Sequence, residues 1–428
     1  MKKLHLLTII IFCLLISCSR SDKIVASIDG EPIYFEDIFS VIDESDFNKR
    51  SNEEKKTFIR KYAANKILSS IPQQELDEFG FSYEGANNRL RNKLIIKNIE
   101  KHIFNQLVIS DSTLDFIVNA VNMDIYVKAV TVNHRFSFGK TNPRTKKEAL
   151  KKAEVIYNRL LSNELTYEEA LSIYSESSVS KIKGNEMGQL YYGLMPKKFN
   201  DAIWTSTMGY LHEPLETPIG YHIIIVDHKL PKLGTDRREV DREKMVKDLK
   251  KGKYGYQEEN FIQFVENLYE KYDVSLNQDE LYNAWDSLKT IDGINTMSGV
   301  SIDRLAEVET SNILAKINGS DITLGWIINE TENYSFYNNI SVNKGFSFYK
   351  LISDVIARYL MSEWYKDNRE IFPDLEKTIK YKSIQKINSL YFDKMQKLNP
   401  DLTKEIIMNR FMLEKGVVIN SELFAEDF

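Results

Sequence analysis

Residues 174–227, YSESSVSKIKGNEMGQLYYGLMPKKFNDAIWTSTMGYLHEPLETPIGYHIIIVD, decide the fold of this chain. The stretch opens with a polar loop, Ser175 to Ser178, and turns through Gly184-Asn185-Glu186-Met187-Gly188. Gly193-Leu194-Met195 then leads to a short helix around 199–205, and Gly220-Tyr221-His222-Ile223-Ile224 begins a strand over 221–226. Working upstream, 125–132 reads as a strand and 134–147 as a basic loop, with helices over 147–161 and 167–174. Strands and helices that alternate around a small mixed sheet suit one α+β domain.

The order and spacing of these pieces resemble the PpiC-type parvulin family of peptidyl-prolyl cis/trans isomerases, with a likeness that reaches upstream to about Val127. The resemblance implies the parvulin fold and a reaction in which no bond breaks. A prolyl amide rotates over a barrier of roughly 18–20 kcal/mol, so its catalyst needs neither metal nor nucleophile. It needs an apolar pocket for the ring and polar groups that favour the twisted amide. Matched residue by residue, Met187, Met195 and Phe199 stand where the family forms its proline pocket, although Met and Phe are also ordinary core fillers. Ser177 matches a position often held by cysteine or aspartate, and Thr217 and His222 match a hydrogen-bonded threonine and histidine.

The chain departs from that pattern on its first strand. Where the family usually carries a histidine, Ala129-Val130-Thr131-Val132 places Thr131, and His134 falls three residues later, out of register. The expectation is weakened or lost turnover, with Thr131 retaining a hydrogen bond. Asn185-Glu186 replaces the usual Gly-Asp and keeps one carboxylate. His134, Arg135, Lys140, Arg144, Lys146 and Lys147 read as solvated surface or, as in one branch of the family, as a site for acidic or phosphorylated clients. His212, His222 and His228 lack a recognised ligand spacing, so neither metal nor cofactor is expected.

Residues 1–18, MKKLHLLTIIIFCLLISC, join a basic start to an apolar run and a small residue before Cys18. This is the layout of a secretory leader, too short for a membrane span. Leu15-Ile16-Ser17-Cys18 resembles a lipobox, which implies lipidation of Cys18 and, by analogy, an outer-membrane protein facing the periplasm. Both cysteines, Cys13 and Cys18, lie in this leader, so processing leaves no thiol for disulfides or metal. The formal charge of −5 moves to −7 when Lys2 and Lys3 leave, which argues against a nucleic-acid partner.

Two segments share one plan. Residues 24–41, IVASIDGEPIYFEDIFSV, and 313–328, ILAKINGSDITLGWII, both read as strand, tight turn, strand and helix. Internal duplication and convergence on a common hairpin both explain the match. Ser51-Asn52-Glu53-Glu54 is a capping-box pattern ahead of helically spaced Phe58, Tyr62, Ile67 and Leu68. A second helical run covers 87–108, and Ser110 or Asp111 caps a third before Asn122. Later helices are expected over 237–272, 346–366 and 379–397, with breaks at Pro373 and Pro400.

The expected organisation is a leader (1–17), a helical chaperone-like region (18–124), the isomerase-like domain (125–231) and a helical C-terminal region (232–428). The last carries the second hairpin copy at 313–328 and is expected to pack with the N-terminal helices. The N-terminal flank resembles that of SurA-type periplasmic chaperones and PrsA-type extracytoplasmic foldases, and beyond Lys232 the resemblance thins to the hairpin copy. Two functions follow: an isomerase acting on unfolded exported polypeptides, or a non-catalytic holdase using a degenerate parvulin domain as a peptide dock. Its 23 tyrosines and 22 phenylalanines suit either a client groove or ordinary cores. For a third possibility, an assembly scaffold, no residue argues.

Overall fold

The computed structural model describes residues 23–138, 142–177, 188–209, 211–233 and 240–424. Cys18, Lys140 and Met187 lie outside them, as does the turn at 184–187. In chain order, β1 (Ile24–Ile28) and β2 (Glu31–Tyr34) precede α1 (Phe35–Phe39), α2 (Asn52–Ser70), α3 (Tyr83–Asn105) and α4 (Asp111–Ala120). β3 (Met123–Val132), α5 (Lys146–Leu161), α6 (Tyr167–Tyr174), β4 (Gly188–Leu190), α7 (Lys197–Thr205), β5 (Leu215–Thr217) and β6 (Gly220–Pro231) follow. Next come α8 (Arg242–Lys250), α9 (Tyr256–Lys271), β7 (Ser275–Leu276), α10 (Gln278–Leu288), β8 (Ile313–Ile317), β9 (Ser320–Thr323) and α11 (Leu324–Thr331). The last elements are α12 (Gly345–Asp367), α13 (Leu375–Leu398), α14 (Lys404–Glu414) and β10 (Val417–Ile419).

Local signals start most of these helices. Ser51 accepts the Glu54 amide while Glu54 accepts the Ser51 amide, which closes the expected capping box of α2. Thr145 with Glu148 and Thr166 with Glu169 cap α5 and α6 in the same way. Of the two candidates before α4, Ser110 is the cap, accepting the Thr113 amide. The continuous helix expected over 237–272 is instead broken between α8 and α9. Gly252, Tyr254 and Gly255 all take left-handed backbone angles there, φ 94°, 61° and 76°.

The described residues fall into two compact units, one taking in residues up to 95 with 332–335 and 368–424, the other 96–331 with 336–367. The C-terminal region therefore does not travel together as the sequence reading expects. In the first unit, Ile384, Ile387, Phe392 and Phe411 complete a core begun by Val25, Ile33, Phe58, Ile59 and Leu68. Residues 240–331 and 336–367 belong instead to the unit that holds the four-stranded sheet. Tight packing explains this: a β-carbon on Gly345 would lie 2.9 Å from the Arg135 carbonyl and 3.1 Å from the Phe136 ring. Among the described residues, no helix is long and apolar enough to cross a membrane.

The four-stranded sheet of the second unit has the order β4-β3-β6-β5, every pair antiparallel. One face packs Ile125, Val127, Ala129, Ile224 and Val226 against Phe199, Ile203 and Trp204. The other packs Val130, Val132, Tyr221 and Ile223 against Ala149, Ala153, Ile156, Ala170 and Leu171 of α5 and α6. Alternate residues of β3 and β6 thus face different cores.

The two hairpins match beyond their sequences. Asp29-Gly30 and Asn318-Gly319 form tight turns with φ 47° and 85° in one, 46° and 77° in the other. Each hairpin shifts register at the same place, between Ile24 and Ala26 and between Ile322 and Thr323. Each also accepts a third antiparallel strand, with Ala26 opposite Ile419 and Ala315 opposite Leu276. The amides of Asn420 and Asn277 donate to the equivalent carbonyls of Val25 and Leu314. A common hairpin preference does not dictate matching third strands, so the correspondence favours internal duplication.

Candidate active site

β3 and β6 pair Thr131 directly with His222, and β5 pairs Thr217 with Gly220 at the hairpin end. Because side chains alternate, Thr131 and His222 extend the same face as Ala129 and Ile224 and come to the edge of the Phe199 core. His222 is 2% exposed and lies between two hydroxyls: Thr217 Oγ1 is 2.7 Å from Nε2, Thr131 Oγ1 3.1 Å from Nδ1. Thr217 Oγ1 also accepts the Ile219 amide at 3.1 Å and faces the Gly220 carbonyl, a second acceptor for its proton, at 3.5 Å. With a hydroxyl at each ring nitrogen, either neutral tautomer of His222 has both nitrogens hydrogen-bonded. Burial pushes the His222 pKa down to about 4, so the imidazole is neutral at physiological pH.

The apolar side of the site comes from α7. The Phe199 ring meets His222 edge-on, centroids 5.9 Å apart at 89°. Met195, half-buried, packs against the same core from the loop preceding the helix. Asn200 donates its side-chain amide to the Met195 carbonyl, and the Phe199 and Asn200 amides both donate to Pro196. Sequence reading missed Asn200; a buried asparagine beside a proline helix start is a weak signal for a loop brace.

Ser177 stands at the end of a loop fixed by its two predecessors. Ser175 accepts the Thr131 amide at 3.2 Å, and the Glu176 amide donates to the Thr131 carbonyl at 2.8 Å. Glu176 also accepts Arg144 at 2.6 Å, Lys152 at 2.9 Å and the Asn133 amide at 2.7 Å. Burial raises this carboxyl, but the hydrogen bonds from Arg144 and Lys152 outweigh it and hold it below the ordinary carboxylate range. Arg144, read from sequence as solvated surface or as part of a site for acidic clients, is therefore a brace for the Ser177 loop.

Its neighbours in that loop are also engaged. Arg135 lies 3.3 Å from Asp286 and over the Tyr282 ring, while Lys146 lies 2.9 Å from Glu216 and over Tyr349. His134 is buried with its ring 6.3 Å from Tyr221, a residue of the opposite sheet face, so it stands apart from the His222 network. Burial, with Lys146 adding to it, lowers its pKa to about 4. The three other histidines considered together also separate: His212 meets Ser206, His222 the threonines, and His228 lies 3.6 Å from Asp227.

Residues 135–228 match the family model described as the PPIC-type PPIASE rotamase domain. The chain carries a PPIC-type peptidyl-prolyl isomerase domain. It is 25% identical over 236 residues to foldase protein PrsA of Caldanaerobacter subterraneus subsp. tengcongensis, covering 49% of this chain and 76% of that one. To foldase protein PrsA 4 of Bacillus cereus it is 26% identical over 216 residues, covering 50% and 72%. The crystal structure of peptidylprolyl isomerase (PrsA) from Bacillus cereus aligns over 58% of this chain and 93% of that chain, at 18% identity and a TM-score of 0.28. Thr131, Thr217, His222 and Phe199 meet inside the isomerase domain or at its first strand, whereas Met187 lies outside the described residues.

Proposed function

We propose that this isomerase domain turns X-Pro bonds in unfolded exported polypeptides, with the proline ring seated on Met195 and Phe199. The observation that carries the reading is the neutral His222 held between Thr131 and Thr217 at the edge of Phe199. Rotation of the amide removes its resonance, which lowers the charge on the carbonyl oxygen and localises a lone pair on nitrogen. An apolar wall favours that less delocalised state, and a fixed hydroxyl stabilises it without moving a proton. Ser177 supplies that hydroxyl; Thr131, His222 and Thr217 keep the wall behind it rigid, and Met187 completes the pocket. Thr131 in place of a second histidine preserves the ring's orientation because orientation, not proton transfer, is what the neutral network provides.

Cis/trans exchange of X-Pro peptides, followed by NMR, tests the reading. The parent chain accelerates exchange, and Met195→Ala and Phe199→Ala each lower that acceleration by about tenfold or more. No acceleration by the parent, with peptide binding preserved, leaves the holdase as the better description. One feature favours that second reading: an open groove of about 550 Å³ lies between α9 and α12, lined by Phe261, Ile262, Val265 and Tyr269. Ile262→Glu that abolishes aggregation suppression and spares exchange assigns client holding to this groove.

The cellular setting rests on the leader pattern and on relatives named foldases. Cys18 carries a lipid anchor, and the protein works in the cell envelope, at the outer membrane on its periplasmic side. Metabolic labelling with a tagged fatty acid checks this: the label is lost in Cys18→Ser.

A further inference from the structure

The segment that breaks the expected helix over 237–272 lies outside the matched domain, yet it packs on the loop that carries Met195. Gly252-Lys253-Tyr254-Gly255 holds three of its four residues at positive φ, and only Tyr254 does so with a side chain that disfavours it. That backbone aims the Tyr254 ring at Gly193, where a β-carbon would lie 2.3 Å from the ring. Gly193 itself has φ 93° and stands two residues before Met195. The same ring lies 5.4 Å from that of Tyr192, whose hydroxyl donates to Asp201 of α7 at 3.0 Å.

A second tie runs beside the first. Lys197, at the start of the helix that carries Phe199, pairs with Asp201 and, at 2.9 Å, with Glu259 of α9. Its ammonium also sits 4.7 Å over the Tyr256 ring, and Tyr256 belongs to the same core as Phe199. The loop from Tyr191 to Lys197 is therefore held from outside the isomerase domain at both ends, by Tyr254 and by Glu259.

We infer that Tyr254 is a positioning residue for the proline site: it sets the place of Met195 through Gly193, so the helical segment after the domain shapes the pocket. The inference rests on the proposed role of Met195 as a wall of that pocket. A displaced wall weakens binding of the ring in ground and transition states alike, which appears as a rise in KM with kcat nearly unchanged. A purely structural role for Tyr254 lowers thermal stability and leaves Met195 where it is.

The test compares the full chain with Tyr254→Ala, Tyr254→Phe and Glu259→Gln, using methionine-methyl NMR, with Met195 assigned from Met195→Ala, and X-Pro exchange kinetics. Tyr254→Ala moves the Met195 methyl resonance and raises KM about three- to tenfold, with kcat within about twofold of the parent. Tyr254→Phe, which keeps the ring, restores both. Glu259→Gln shifts the same resonance in the same direction by less, and serves where Tyr254→Ala does not fold. A Met195 resonance unmoved in Tyr254→Ala and Glu259→Gln overturns the inference, as does an unchanged KM alongside a moved resonance. Unchanged kinetics in Met195→Ala refutes the pocket assignment instead, which separates the two failures.

Discussion

His222 depends on two hydroxyls for both ring nitrogens, and this makes Thr217 the costlier of the two to lose. Thr217→Val strands Nε2 and the Ile219 amide together, so it destabilises the protein by about 1–3 kcal/mol, read as a lowered urea midpoint. Thr131→Val removes one partner only and costs less. The depressed histidines set a pH response whose sign follows from burial. His222 and His134 stay neutral in the fold down to about pH 4, while in the unfolded chain they take up a proton near pH 6.5. Between those limits the unfolded state binds more protons, so stability falls as pH drops from about 6.5 to 4, each ring contributing on the order of 3 kcal/mol. Urea titrations across that window check this, and a flat response contradicts the burial of both rings. Exchange activity stays level from about pH 5.5 to 8, because His222 does not titrate there.

At the scale of elements, the loop after α6 is held by charge rather than by apolar packing. Glu176 accepts from Arg144, Lys152 and the Asn133 amide, so Glu176→Ala releases the end of β3 and the Ser177 loop at once. We expect a loss of about 2 kcal/mol and faster amide hydrogen exchange at Asn133 and Glu176, with β6 unaffected. Unchanged exchange at Asn133 would show that the brace is not needed. The repeated hairpins behave differently, since their turns rest on backbone conformation. In each, an Asp or Asn and then a Gly take left-handed angles that other residues adopt only with strain.

For the whole molecule, the two units predict separable unfolding. A chain ending at residue 367 loses Ile384, Ile387, Phe392 and Phe411 from the first core, and loses β10 from its sheet. The first unit then unfolds while the second keeps the His222 network, so X-Pro exchange survives and the far-ultraviolet signal of the N-terminal helices is lost. Cooperative loss of both contradicts the division. The net charge of −5 across 428 residues sets solubility and leaves this division untouched.

Legibility followed the range of the interactions. Asp29-Gly30, Asn318-Gly319, Ser51 with Glu54, and the alternation along β3 and β6 each act within a turn or one strand face, so the sequence by itself determined hairpins, caps and the strand carrying His222. It also determined the family likeness, because the motif pieces are close in the chain. The pairing of Arg144 with Glu176 joins residues 32 apart, and the contact of Tyr254 with Gly193 crosses a domain boundary. β7 spans two residues and β10 three, too short for any local strand signal. Only the tertiary structure decided these, together with the split of the C-terminal region between units. Each depends on desolvating groups that meet after long loops have closed, and that free energy is set by the assembled surroundings rather than by the neighbours in sequence.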